Sequence, residues 1–152
     1  MKLSPHFTLA ELTASQSASR LKIDNTPDDT IIANLTGLCV HILEPLRAHF
    51  GKPVVVSSGY RCPKLNKAVG GASSSQHVLG QAADITVPGI ADYAVAAWLA
   101  KNTPIDQVIL EFPPDGWVHV SYGPRNRRQK LTARRVKSFG RLKTVYLDGL
   151  HP

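Results

Sequence analysis

The chain has 152 residues, 43% hydrophobic and 19% charged, a globular composition with room for a core, which excludes a disordered or low-complexity protein. No apolar run approaches the ~20 residues needed to cross a bilayer, so no membrane span is expected. The formal net charge is +7, and nine of the 18 Lys and Arg fall between Arg125 and Lys143 without one acid among them. Such a stretch suits an anionic partner (nucleic acid, anionic lipid or an anionic wall polymer) or is a solvated basic face.

Taken in chain order, Thr8 and Glu11 have capping-box spacing and predict a short first helix. Thr13 to Asn25 is polar and reads as a loop. Thr26-Pro27-Asp28-Asp29 is a helix start, with a capping hydroxyl, a proline in the first turn and acids at the positive end. Ile31, Leu35, Leu38 and Ile42 continue it at helical spacing, and Leu46 and Phe50 extend the stripe. Pro45 should kink this helix or end its regular part. Val54–Val56 predicts a buried strand, followed by a turn at Ser57–Arg61 and a short helix over Pro63–Ala68. Gly70–Ser75 is a loop rich in glycine and serine. Ala82–Val87 predicts a strand and Ile90–Lys101 a helix. Gln107–Phe112 and Trp117–Tyr122 predict strands joined as a hairpin across Pro113-Pro114-Asp115-Gly116. The tail adds one more strand near Val145–Leu147. No internal repeat is present. Early helices and late strands point to an α+β fold, with residues 1–152 forming one domain. Cys39 and Cys62 form no CxxC pair and are expected to be reduced thiols, neither a disulfide framework nor a zinc site.

The stretch Ser75 to Asp84 carries the chemistry. His77 and Asp84 could not face one metal from a single straight strand, but they can if the chain turns at Gly80 and re-enters as a strand. Imidazole and carboxylate both suit zinc. A third ligand is needed, and His119, flanked by Trp117, Val118 and Val120, is the candidate. By itself, a lone histidine in an apolar strand is more often a packed core residue.

The pattern SxHxxGxAxD, complete here as Ser75, His77, Gly80, Ala82 and Asp84, followed by WxH at Trp117 and His119, resembles the zinc peptidases that include D-Ala-D-Ala carboxypeptidases and L-alanyl-D-glutamate endopeptidases. These share a fold with the hedgehog signalling domain. Ser58-Gly59-Tyr60-Arg61 resembles the segment that supplies an arginine to the active site of that family. Phe7–Leu12 resembles its N-terminal helix. The resemblance covers roughly Phe7 to Gln129. It implies a small, mainly antiparallel sheet with helices packed on one side. It also implies zinc held by His77, Asp84 and His119 with water in the fourth position, and hydrolysis of a peptide bond in peptidoglycan stem peptides.

Many members of that family place a glutamate three residues before the second histidine; here that position is Gly116. Two acids are near. Asp115 sits in the hairpin turn. Glu111 ends an apolar strand, where an unpaired acid is costly to bury. Glu111 is preferred as general base because pairing across the hairpin brings it near His119. Arg61 is expected to stabilise an oxyanion or hold a substrate carboxylate; a surface arginine ending a turn is the alternative. Ser75 either orients substrate or serves only its turn. His6, His41, His49 and His151 lack metal spacing.

Two rival readings remain at this stage. One is a zinc-containing, non-catalytic wall-binding module, favoured by Gly116. The other is a nucleic-acid-binding protein built on the basic tail, against which stand its few aromatics, Phe139 and Tyr146. A monomer is expected, with anionic wall polymers met through Arg125–Lys143. Met1–Leu12 lacks the apolar core and cleavage site of a secretory signal. The expectation is therefore cytoplasmic synthesis and later release onto the wall, as for a phage or prophage endolysin.

Overall fold

In the computed structural model, which describes residues 1–152, the chain opens on a two-stranded ribbon of β1 (Lys2–Ser4) and β2 (Phe7–Thr8). Thr8 then caps α1 (Leu9–Thr13). The Glu11 amide donates to the Thr8 hydroxyl, and the Thr8 amide donates back to the Glu11 carboxylate, the box its spacing predicts. The polar stretch expected to be a loop contains a second helix, α2 (Gln16–Leu21), capped by Ser15. It buries only Ala18, so it has no apolar stripe to betray it.

The next helix is capped by Asp28, not Thr26: the Ile31 amide donates to the Asp28 carboxylate, while the Thr26 hydroxyl donates to Asp24. It begins as α3 (Asp29–Leu38), widens into a π turn over Cys39–Leu43 and continues as α4 (Glu44–Phe50). Pro45 explains the π turn. It has no N–H to give the carbonyl four residues back, and the wider turn absorbs the mismatch without breaking the rod. The whole Asp29–Phe50 helix has 22 residues and would be long and apolar enough to cross a membrane on length and composition alone. Its stripe of Leu35, Leu38, Ile42, Leu43 and Leu46 is instead fully buried in the core, where each side chain contributes ~1.5–3 kcal/mol relative to exposure.

The remaining elements are β3 (Val55–Ser58), α5 (Pro63–Ala68), β4 (Ala82–Thr86), α6 (Asp92–Asn102), β5 (Gln107–Glu111), β6 (Trp117–Ser121), β7 (Gln129–Ser138) and β8 (Arg141–Asp148). They make a six-stranded sheet in the order β3-β4-β6-β5-β7-β8. The sheet is larger than the small, mainly antiparallel one expected, although four of its five strand pairings are antiparallel. It is mixed, because β7 runs parallel to β5, and the tail supplies two long strands where one short strand was expected. Charges on both faces of β7 and β8 erase the alternation that marks a half-buried strand.

Along the central strands alternation holds. Ala83, Ile85, Val108, Val118 and Val120 enter one cluster of 21 buried residues with the long helix and with Val95, Ala96 and Leu99 of α6. The intervening residues, Asp84, Ile109, Glu111, Trp117 and His119, project from the opposite face. Register sets Asp84 beside His119, His119 beside Ile109, and Trp117 beside Glu111. One face of the sheet is thus covered by helices, and the other carries the site.

Candidate metal centre and active site

His77 lies on a one-turn 3-10 helix, Gln76–Leu79. The His77 amide donates to the Ser75 hydroxyl at 3.2 Å, so Ser75 serves as a cap while also lining the cleft. The turn ends at Gly80, whose φ of +69° is the left-handed value expected at that reversal; a Cβ there would also lie 2.8 Å from Ile31. The chain then re-enters as β4 with Asp84 on its exposed side.

Nδ1–H of His77 donates to the Gly59 carbonyl at 2.6 Å. A carbonyl can only accept, so this bond fixes the tautomer and leaves Nε2 unprotonated in the neutral ring. Nε2 sits 3.3 Å from Asp84 Oδ1, and Nδ1 of His119 sits 3.1 Å from the same oxygen. An imidazole lone pair facing a carboxylate oxygen calls for a proton or a metal ion between them. The two separations are close to the ~3.3 Å edge of a tetrahedron with bonds of about 2.05 Å, the span of zinc–nitrogen and zinc–oxygen bonds. All three donor atoms lie within 4.8 Å of one another. The residues therefore fit a metal ion. Burial would raise the Asp84 carboxyl, but the two imidazoles of His119 and His77 beside it outweigh that and hold it well below the usual carboxylate range. Burial lowers His119, favouring the neutral ring that a metal requires.

The donors open onto a cleft of about 830 Å³. Glu111 lines it, whereas Asp115 is exposed on the hairpin turn and does not. Burial, and then the charge of Asp84, push the Glu111 carboxyl from its ordinary 4.5 up to about 7, while Arg135 pulls it back. Gly116 cannot carry a carboxylate: a Cβ there would fall 1.7 Å from the Glu111 carbonyl oxygen. Arg61 also reaches the cleft, and its buried Nε has no hydrogen-bond partner. Its own amide donates to the His77 carbonyl, which ties the Ser58–Arg61 segment to the metal turn.

Several residues that sequence reasoning missed hold this arrangement. Asn25 donates to the Thr13 and Tyr60 carbonyls and accepts from the Cys62 amide, stapling the Arg61 loop to α1. Asp106 is fully buried. Burial would raise its carboxyl, but three hydrogen bonds from Arg127 and one from Gln76 hold it low. Gln76 adjoins His77, so this knot fixes the metal turn from behind. An acid between Ile105 and an apolar strand was the available signal, the same one that marks Glu111.

The basic stretch also needs correction. Arg127 is an internal strut that compensates Asp106, while the exposed Arg125 only approaches the same carboxylate, at 4.0 Å, so one of the nine cations is compensated. Arg125, Arg127 and Leu131, with Thr144 and Tyr146 of β8, form one wall of the cleft. The tail is therefore close to the motif in the fold although distant from it in sequence. Cys39 and Cys62 are free thiols, the first buried and the second capping α5.

Two histidines and an aspartate at the floor of an open cleft, with a half-buried carboxylic acid beside them, form the donor set of a mononuclear hydrolytic metal centre. The chain belongs to the Peptidase M15 family, which matches residues 5–121. It is also 35% identical over 68 residues to a zinc D-Ala-D-Ala carboxypeptidase of Streptomyces albus G. That match covers 44% of this chain and 26% of the other protein.

Proposed function

We propose that the protein is a zinc-dependent peptidase that cleaves a peptide bond in bacterial peptidoglycan stem peptides, of the D-Ala-D-Ala carboxypeptidase or L-Ala-D-Glu endopeptidase type. The observation that carries this reading is the convergence of His77, Asp84 and His119 on one face of the sheet with Glu111 in the same cleft. The three residues hold zinc. Zinc in such a site supplies a Lewis acid that polarises the scissile carbonyl and draws the pKa of water toward ~7.

Glu111 is the general base in this reading. It accepts a proton from the water whose oxygen attacks the carbonyl carbon. It delivers that proton to the amine nitrogen as the C–N bond breaks. A carboxyl drawn toward neutrality suits both halves of the transfer. Arg61 directs its guanidinium at the developing oxyanion or at a substrate carboxylate. With Arg125 it makes the cleft attractive to peptides bearing carboxylates, as stem peptides do. In this reading Glu111 takes the place of the acid missing at Gly116, the feature that favoured a non-catalytic module. Solvated cations on β7 and β8 raise the local concentration of an anionic wall, and lysis of a host by a phage or prophage endolysin is the setting we propose.

The test is digestion of purified peptidoglycan with the zinc-loaded protein, followed by mass spectrometry of the products. New termini at D-Ala-D-Ala or at L-Ala-D-Glu support the reading and choose between its two forms. Intact stem peptides after prolonged digestion would refute it.

A further inference from the structure

β7 and β8 leave the body of the sheet together. β5 pairs with β7 only from Gln129 to Ala133, so residues 134–138 have β8 on one side and no strand on the other. The arm ends in the two-residue turn Phe139-Gly140, between the paired Ser138 and Arg141, with φ of +50° and +75°. Both values belong to a type I′ hairpin turn.

The tip is apolar. Phe139 is 104% exposed and Leu142, two residues past the turn, is 68% exposed. Behind it come Arg135, Lys137, Arg141 and Lys143, all exposed. Arg141 pairs with Ser138 beside the turn, and at ~3.3 Å per residue the four lie roughly 3–13 Å from the tip. The first acid on the arm is Asp148, at its base.

Phe139 is costly in two ways, and nothing in the fold offsets either. It occupies a turn position that favours Asn, Asp or Gly, because a side-chain-bearing residue is strained there. Its ring is also left wholly in water. Guarding an open strand edge accounts for the Lys and Arg, and so does binding a soluble polyanion. Neither uses an exposed ring. An anionic bilayer uses both features, since aromatic side chains settle at the headgroup level and cations pair with lipid phosphates. We propose that the β7–β8 arm docks on an anionic lipid surface, seating Phe139 and Leu142 in the interface and Lys137, Arg141 and Lys143 among the headgroups.

The experiment uses the full chain, co-sedimented with vesicles of phosphatidylglycerol mixed into phosphatidylcholine, with pure phosphatidylcholine vesicles, and titrated with soluble polyphosphate. The informative variant is Phe139→Asn, because asparagine suits the turn, so folding is held or improved while the ring is lost. It should weaken binding to the anionic vesicles by roughly tenfold or more and leave Tm and polyphosphate binding unchanged or higher. A Lys137→Gln, Arg141→Gln, Lys143→Gln variant should lose about fivefold per cation at low salt. The proposal is overturned if the parent does not prefer anionic vesicles, or if Phe139→Asn binds them as well as the parent does. It is equally overturned if that variant loses polyphosphate binding in step, or if it converts a parental dimer to monomer, which would make the tip a contact between copies. None of these readouts depends on peptidase activity.

Discussion

Glu111→Gln tests the proposed base in two independent currencies. The first is stability. The carboxyl is moved from 4.5 up to about 7 by burial and by the charge of Asp84. At ~1.4 kcal/mol per tenfold change in proton affinity, that corresponds to at most ~3.5 kcal/mol of folding free energy, and solvent reaching the cleft reduces it to about 2 kcal/mol. The folded chain holds this proton more tightly than the unfolded chain does. The penalty is therefore absent below pH 4.5, grows as pH rises from there to about 7, and is complete above it. Glutamine is neutral throughout and carries no such penalty. Metal-free Glu111→Gln should match its parent near pH 4.5 and exceed it by about 2 kcal/mol at mildly alkaline pH, read by urea denaturation. Bound zinc offsets the charge of Asp84, so the gain should shrink when metal is present. The second currency is rate: hydrolysis should fall by about 10²–10⁴-fold with zinc content unchanged. No gain in stability at alkaline pH would mean that the environment of Glu111 has been misread. Parental turnover would mean that another group is the base, with Asp115→Asn the next variant to measure.

Two further predictions concern the floor of the cleft and its support. His77→Ala and His119→Ala should each lower bound zinc from one ion per chain to a small fraction of that by metal analysis, and abolish hydrolysis; full zinc in either variant would remove it from the ligand set. Arg127→Ala leaves the fully buried Asp106 carboxylate without its main partner and should cost ~3–5 kcal/mol in chemical denaturation. A loss below about 1 kcal/mol would show that Asp106 is satisfied without Arg127.

What could be read in the sequence was local. His77, Gly80 and Asp84 lie within eight consecutive residues, and a turn of fixed geometry followed by a strand is enough to bring the first and last together. His119 and Glu111 needed only a two-strand register across an evident hairpin. The rest depends on pairings of distant segments. Gln76, Asp106 and Arg127 meet across the fold, and nothing local to any one of them names the other two. The β7–β8 arm was hidden for a different reason: both its faces are wet beyond Ala133, and a strand that buries neither face leaves no binary pattern to find.

Position 116 shows how a departure in sequence is resolved by the fold. The resemblance led to an acid there, and glycine stands in its place. The backbone at Gly116 packs so closely against the Glu111 carbonyl that no side chain fits. Glu111 is paired with Trp117, the neighbour of Gly116, so the two positions lie one residue out of register across the hairpin. Glu111 stands on the other strand of the hairpin and lines the metal cleft. Read along the chain, the change looks like the loss of a catalytic acid. Read across the register, the neighbouring strand offers Glu111 as the acid of the proposed chemistry.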